Sequence, residues 1–225
     1  MPRIPRGDLS GEVLHIINRG NARMAVFHDQ EDYFKFLALL KEAKRRADVE
    51  VFAYCLMPNH FHLALRAKAG GSTSTMMQWL MTSYVRYHHH KYQSSGHLWQ
   101  GRYKNFMVQQ EGYLHMLLRY IEANPVRAGL AGRADAWQFG SAHERVQADR
   151  NILDAPPIAL PADWIEAVNH RFDQSMIDQI RTSVNRQSPL GEVSWCRQIA
   201  VRFGLESKIN PVGRPKNKAK SPSDQ

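Results

Sequence analysis

Two runs of strand-favouring residues, Val51 to Leu56 and His60 to Arg66, are separated only by Met57-Pro58-Asn59. So short a connection joins them as an antiparallel hairpin. Pro58 cannot donate to a central ladder and Asn59 tolerates unusual dihedrals, which suits both to the turn. Side chains two apart on a strand share a face. His60 and His62, with Phe61 between them, therefore sit at the mouth of a sheet and offer two imidazoles to one ion. Taken alone, the pair also fits buried or surface structural histidines.

The rest of the chain supplies elements around that hairpin. Glu12 to Asn18 reads as a buried strand with Arg19-Gly20-Asn21 as its turn. Asp29 to Arg46 reads as an amphipathic helix in which Phe34, Leu37, Ala38 and Lys41 to Ala43 recur near a period of 3.6. Gly70-Gly71-Ser72-Thr73-Ser74 is a loop and helix cap. Met76 to His90 resumes as a helix whose polar side carries Arg86, His88, His89 and Lys91. Consecutive helical residues diverge by about 100°, so His88-His89-His90 cannot converge on one ion and reads as a polar face. Glu111 to Ala123 is a helix with Leu114, Leu118 and Ile121 as its buried stripe. Tyr113, Leu117, Tyr120 and Asn124 form a second stripe, and Pro125 ends or redirects the helix.

Charge points to the partner. The 225 residues carry 30 Lys and Arg against 21 Asp and Glu, a net +9, with a pI near 9.7. Such a surplus attracts phosphate backbones without choosing a sequence. No run approaches the roughly 18 to 20 apolar residues that span a bilayer. Met1 to Asp8 lacks the apolar segment of a signal peptide. A cytoplasmic protein without a membrane partner is the expectation. Cys55 and Cys196 are the only thiols, which excludes a disulfide framework and a cysteine metal site. The expected organisation is a catalytic domain over residues 1–145, a helical extension over 146–209 that includes the linker-like Ala155 to Pro161, and a basic tail over 210–225. That tail contains Arg214 in a Gly-Arg-Pro sequence flanked by lysines.

Several residues carry candidate chemistry. A metal held by two imidazoles needs an oxygen or amide ligand as well as open positions for substrate. Asn124, one helical turn from Tyr120, fits that need. Tyr120 itself is either a core aromatic or a nucleophile whose phenol, with an ordinary pKa near 10, needs help to attack. Arg119 and Arg127 either steady phosphate charge or sit on a solvated surface. Between Gly96 and Met107, Trp99, Arg102, Tyr103, Lys104 and Phe106 alternate basic and aromatic character. These residues either bind and stack on single-stranded DNA or form a charged strand edge packed on the core. A histidine-triad nucleotide hydrolase is excluded, because its third histidine would fall at Ala64.

Three ordered motifs, Tyr54 to Leu63 (YCLMPNHFHL), Gly96 to Lys104 (GHLWQGRYK) and Leu118 to Leu130 (LRYIEANPVRAGL), resemble the HUH single-tyrosine transposases. They are most similar to the REP-associated tyrosine transposases, and Asn18-Arg19-Gly20-Asn21 also fits. The resemblance spans roughly Gly11 to His143. It implies an α+β fold, a ferredoxin-like antiparallel sheet with packed helices, followed here by the helical extension and basic tail. It further implies that His60 and His62 bind Mg²⁺ or Mn²⁺, with Asn124 in the third-ligand place, and that Tyr120 attacks a DNA phosphate to form a 5′-phosphotyrosine link with a free 3′-OH. The implied partner is single-stranded or hairpin-forming repeat DNA, and Arg19, Arg102, Lys104, Arg119, Arg127 and Arg214 are the candidate DNA-binding residues. No small-molecule cofactor is expected, and the protein is a monomer or homodimer. A non-catalytic hairpin-binding regulator is the competing function.

Overall fold

A computed structural model describes residues 9, 11–68, 72–147 and 151–210. The expectations for Met1 to Asp8, Gly70-Gly71, Arg214 and the rest of the tail beyond Asn210 lie outside these residues. Strand β1 (Val13–Arg19), helix α1 (Gln30–Ala47), strands β2 (Val49–Met57) and β3 (His60–Ala67), helix α2 (Ser72–Tyr92) and strand β4 (Lys104–Met107) follow one another. The sheet order is β2-β3-β1-β4, with every neighbouring pair antiparallel. This is the ferredoxin-like arrangement. Among the described residues no helix is long and apolar enough to cross a membrane.

Local signals set the helix bounds. The Asp29 side chain accepts the Asp32 N–H and caps α1, whose first turn is acidic and whose last turn carries Lys44, Arg45 and Arg46. Asp48, at φ 48°, reverses the chain directly into β2. The buried face of α1 is Tyr33, Phe36, Leu40, Ala43 and Ala47, about a quarter turn from the stripe the sequence suggests. Phe34 is half exposed and meets only the edge of Phe139. It is Tyr33 and Phe36 that pack on Phe27.

Alternation along the strands divides the core in two. Leu14, Ile16, Tyr54, Leu56, Phe61, Leu63 and Leu65 face α1 and α2. Val13, Cys55, Met57, Ala64 and Phe106 face the other way, against Leu114, Leu117, Leu118 and Ile121 of helix α3 (Tyr113–Glu122). His15 and His62 share that second face by parity. Pro125 starts a separate one-turn helix, α4 (Asn124–Arg127), so the chain is redirected there as the proline requires.

The remaining helices are α5 (Ser141–Val146), α6 (Trp164–Asn169), α7 (Gln174–Arg186), α8 (Val193–Phe203) and α9 (Glu206–Ile209). Trp164, Val168, Ile177, Ile180 and Leu190, from the expected extension, join the second core cluster. Two buried carboxylates anchor this layer. Glu122 accepts from Ser141 Oγ, Arg145 Nε and Trp164 Nε1, each at 2.7 Å. Glu144 accepts from Tyr54 Oη and from the backbone N–H groups of Asn151, Ile152 and Leu153.

Two expectations about side chains resolve here. His88 is not on a polar face. It is buried, with Nε2 3.2 Å from His28 Nε2 and its ring against Tyr92. The basic and aromatic alternation before β4 is a strand edge packed on the core. Trp99 and Tyr103 are buried, Trp99 with its ring edge-on to Phe61, while Arg102 and Lys104 stay exposed.

Candidate active site

The turn between β2 and β3 is clamped to the end of β1. Gly20 N–H donates to Asn59 O at 2.8 Å, and Val26 and Phe27 N–H donate to Pro58 O. A side chain at Gly20 would put Cβ 2.2 Å from Met24 O, so only glycine allows this closure. The Asn59 side chain completes the clamp. Its Nδ2 donates to Arg23 O, and its Oδ1 lies 2.6 Å from His60 Nδ1. Since the amide oxygen can only accept, Nδ1 of His60 carries the proton and Nε2 keeps its lone pair.

His62, two residues on, is buried beside His60, with ring centroids 5.0 Å apart. Its Nδ1 lies 2.9 Å from Nε2 of His15, a fully buried residue on β1. Burial lowers the pKa of His60 to about 4, helped by Arg19. Burial, then the charges of His60, His15, Arg127 and Arg19, holds His62 well below its ordinary value. Both imidazoles are neutral at neutral pH, the form that ligates a metal.

Helix α3 brings Tyr120 to this pair. Its ring lies 5.9 Å from that of His62, edge-on, and its hydroxyl makes no hydrogen bond among the described residues. Asn124 follows one turn later. Its Nδ2 donates to Tyr120 O at 3.1 Å and to Ile121 O at 3.3 Å, so the oxygen is the end left for ligation. Among the described residues no three His, Cys, Asp or Glu side chains form a metal cluster, and the Asn124 amide is the candidate third ligand. Two imidazoles and one amide oxygen, with room for phosphate and water, make a donor set that fits a divalent metal ion.

These groups line one cavity of about 430 Å³ together with Ile17, Arg19, Met57, Arg127, Ala128, Arg181, Val184 and Asn185. Arg127 donates to Tyr120 O and lays its guanidinium 4.1 Å over the Tyr120 ring. A second cavity, of about 210 Å³, shares Ile17, Arg19, Val184 and Asn185 and adds Asn18, Gln100, Gly101, Arg102 and Lys104. Arg19 spans both, and its Nε is buried with no partner among the described residues. The two cavities form one cationic groove with α7 along its side. Arg119 does not reach it. Its guanidinium donates to the carbonyls of His170 and Arg171 and lies 4.2 Å over Phe172.

Of the residues the sequence suggested, the structure brings His60, His62, Tyr120, Asn124, Arg19, Arg102, Lys104 and Arg127 to these two adjoining cavities. Sequence reasoning missed Asn59, read only as a turn residue, and His15. It also missed Arg181, Val184 and Asn185 on α7. A histidine at an inward position of an otherwise apolar strand was the one signal for His15.

A solved REP-associated tyrosine transposase bound to a REP hairpin shares the fold, with a TM-score of 0.54 and 18% identity over 72% of this chain and all of that one. A Haemophilus influenzae protein named as a REP-associated tyrosine transposase is 26% identical over 145 residues, covering 59% of this chain and 77% of that protein. The family model "Transposase IS200 like" matches residues 10–124, and the chain belongs to this family of DNA strand-cleaving and strand-transferring enzymes.

Proposed function

We propose that the protein cleaves and rejoins single-stranded DNA next to hairpin-forming repeats, with Tyr120 as nucleophile and a divalent metal at His60, His62 and Asn124. One observation carries this reading. The Tyr120 ring stands 5.9 Å from His62 in the cavity that also holds His60, Asn124 and three arginines. The hairpin bound by the solved relative supports the substrate class.

His60 Nε2, His62 Nε2 and Asn124 Oδ1 are the atoms that would hold Mg²⁺ or Mn²⁺. When bound, the ion supplies Lewis-acid polarisation of the scissile phosphate. Tyr120 Oη loses its proton and forms a bond to phosphorus. The bond from phosphorus to the 3′ oxygen breaks, and that oxygen takes up a proton as a free 3′-OH. The product is a 5′-phosphotyrosine that keeps the phosphoester for rejoining. Arg19, Arg127 and Arg181 offset phosphate charge in a partly dry cavity, where such contacts are stronger than in water. Arg102 and Lys104 hold the strand further along the groove. Arg214 adds backbone affinity from the tail.

End-labelled hairpin DNA with a single-stranded flank, incubated with Mn²⁺ and run on a denaturing gel, tests the reading. Wild type is expected to give a covalent band, and Tyr120→Phe is expected to bind the hairpin without giving it. A band that survives in Tyr120→Phe places the nucleophile elsewhere. No band from wild type with any hairpin favours a non-catalytic regulator.

A further inference from the structure

His15 has no part in the chemistry above, yet it touches the site at its most buried point. Its Nε2 lies 2.9 Å from His62 Nδ1. The ring centroids are 5.1 Å apart and the planes differ by 11°. That separation is close to the nitrogen contact plus two ring radii, so the rings meet edge to edge in nearly one plane. A hydrogen bond along an imidazole lone pair requires this in-plane approach.

Three neighbours impose it. Across β3 the residue opposite His15 is Ala64, whose methyl leaves room for the ring to lean towards the diagonal position, His62, which itself faces Ile17. Across β4 the opposite residue is Phe106, packed edge-on at 4.9 Å. Tyr120 closes a further side, its ring 6.5 Å away and steeply inclined.

Packing alone does not explain a histidine here. His15 Nδ1 is buried and has no hydrogen-bond partner among the described residues, a cost that phenylalanine or leucine in the same slot would not carry. We infer that His15 is a positioning residue for metal binding: its Nε2 accepts the Nδ1–H of His62, fixing the ring and the tautomer whose Nε2 lone pair faces the cavity. The inference rests on the metal-dependent reading above. His60 is held the same way by Asn59 Oδ1, so each ligand has its own acceptor behind it, one an amide and one an imidazole.

The test uses the full chain without DNA and measures Mn²⁺ affinity by electron paramagnetic resonance of the free ion. His15→Phe keeps a flat ring between Phe106 and Tyr120 but removes the acceptor. Its Mn²⁺ Kd is expected to rise by about ten- to a hundredfold, the usual effect of losing the partner behind a ligating histidine, with no fall in Tm. His15→Gln, whose amide reaches the place of Nε2, is expected to restore most of the affinity. Imidazole ¹⁵N spectra of the metal-free wild type are expected to show the His62 proton on Nδ1. Unchanged Mn²⁺ affinity in folded His15→Phe overturns the inference, and so does a His62 proton on Nε2 in the wild type. His60→Ala separates this from the wider reading. If His60→Ala loses Mn²⁺ while His15→Phe keeps it, His15 alone is misassigned. If wild type binds no Mn²⁺, or His60→Ala binds it equally well, the metal site itself falls.

Discussion

Asn124 Nδ2 donates to the carbonyl oxygen of Tyr120 at 3.1 Å, so the candidate nucleophile and the third candidate ligand are fixed to each other by the backbone that joins α3 to α4. The bond also sets which end of the amide faces the cavity.

From that follows a difference between the two residues. Asn124→Ala removes one ligand of three, and cleavage at limiting Mn²⁺ is expected to drop at least about tenfold and to recover substantially at high Mn²⁺. Tyr120→Phe is expected to stay inactive at every concentration. A metal titration of adduct formation checks both. Equal loss in the two variants with no recovery counts against Asn124 as a ligand.

The arginines should divide by what they touch. Arg119 holds the carbonyls of His170 and Arg171, so Arg119→Ala is expected to cost about 1 kcal/mol of stability and leave the salt dependence of DNA binding unchanged. Arg181→Ala, on the open wall of the cavity, is expected to leave stability alone and flatten the single-strand salt slope by about 0.7. Chemical denaturation and salt-titrated anisotropy separate the two. The reverse pattern would contradict the placement.

Glu122 and Arg145 form a buried ion pair at 2.7 Å, closed by Ser141 and Trp164. Glu122→Ala leaves the guanidinium buried without its carboxylate, and a loss of roughly 3–5 kcal/mol is expected in urea unfolding. Replacing both by apolar residues, Glu122→Leu with Arg145→Met, is expected to cost less than the single change. A near-neutral Glu122→Ala would show that the pair contributes little.

Much of this was legible because strands repeat every two residues. The hairpin, the shared face of His60 and His62, and the turn at Tyr120 to Asn124 all depend on local periodicity and short spacings. His15 and His62 are 47 positions apart, and only the β1–β3 register makes them neighbours. The same holds for α7, whose Arg181 and Asn185 reach the groove through tertiary packing. The α1 stripe was misplaced because Phe34 resembles a core residue in the sequence, while packing against Phe27 selects Tyr33 and Phe36. Trp99 and Tyr103 fit either role by composition, and only burial decides between stacking on bases and filling the core.

Asp32 gives a pH prediction away from the groove. Burial raises its pKa, but hydrogen bonds from His28 N–H, Tyr92 Oη and Lys91 outweigh it, and the net shift is downwards. A carboxylate with a depressed folded pKa contributes stability that is complete above the ordinary value near 3.9 and lost as pH falls through the lower, folded value. Wild type is therefore expected to lose stability on acidification below about pH 4 more steeply than Asp32→Asn. Urea midpoints measured from pH 6 downwards check it, and parallel curves would show that Asp32 does not drive the acid limb.

The cavity around Tyr120 takes its floor from β1 and β3 but one wall from Arg181, Val184 and Asn185 of α7, which lies beyond the family-matched residues 10–124. The candidate reactive groups and one wall of their cavity thus belong to separate stretches of chain. Residues 174–186 can change in charge or bulk, and so reshape that wall, while the strands that carry the histidines stay as they are. Exchanging that one helix between relatives is therefore expected to alter the wall of the cavity while leaving His60, His62 and Tyr120 in place.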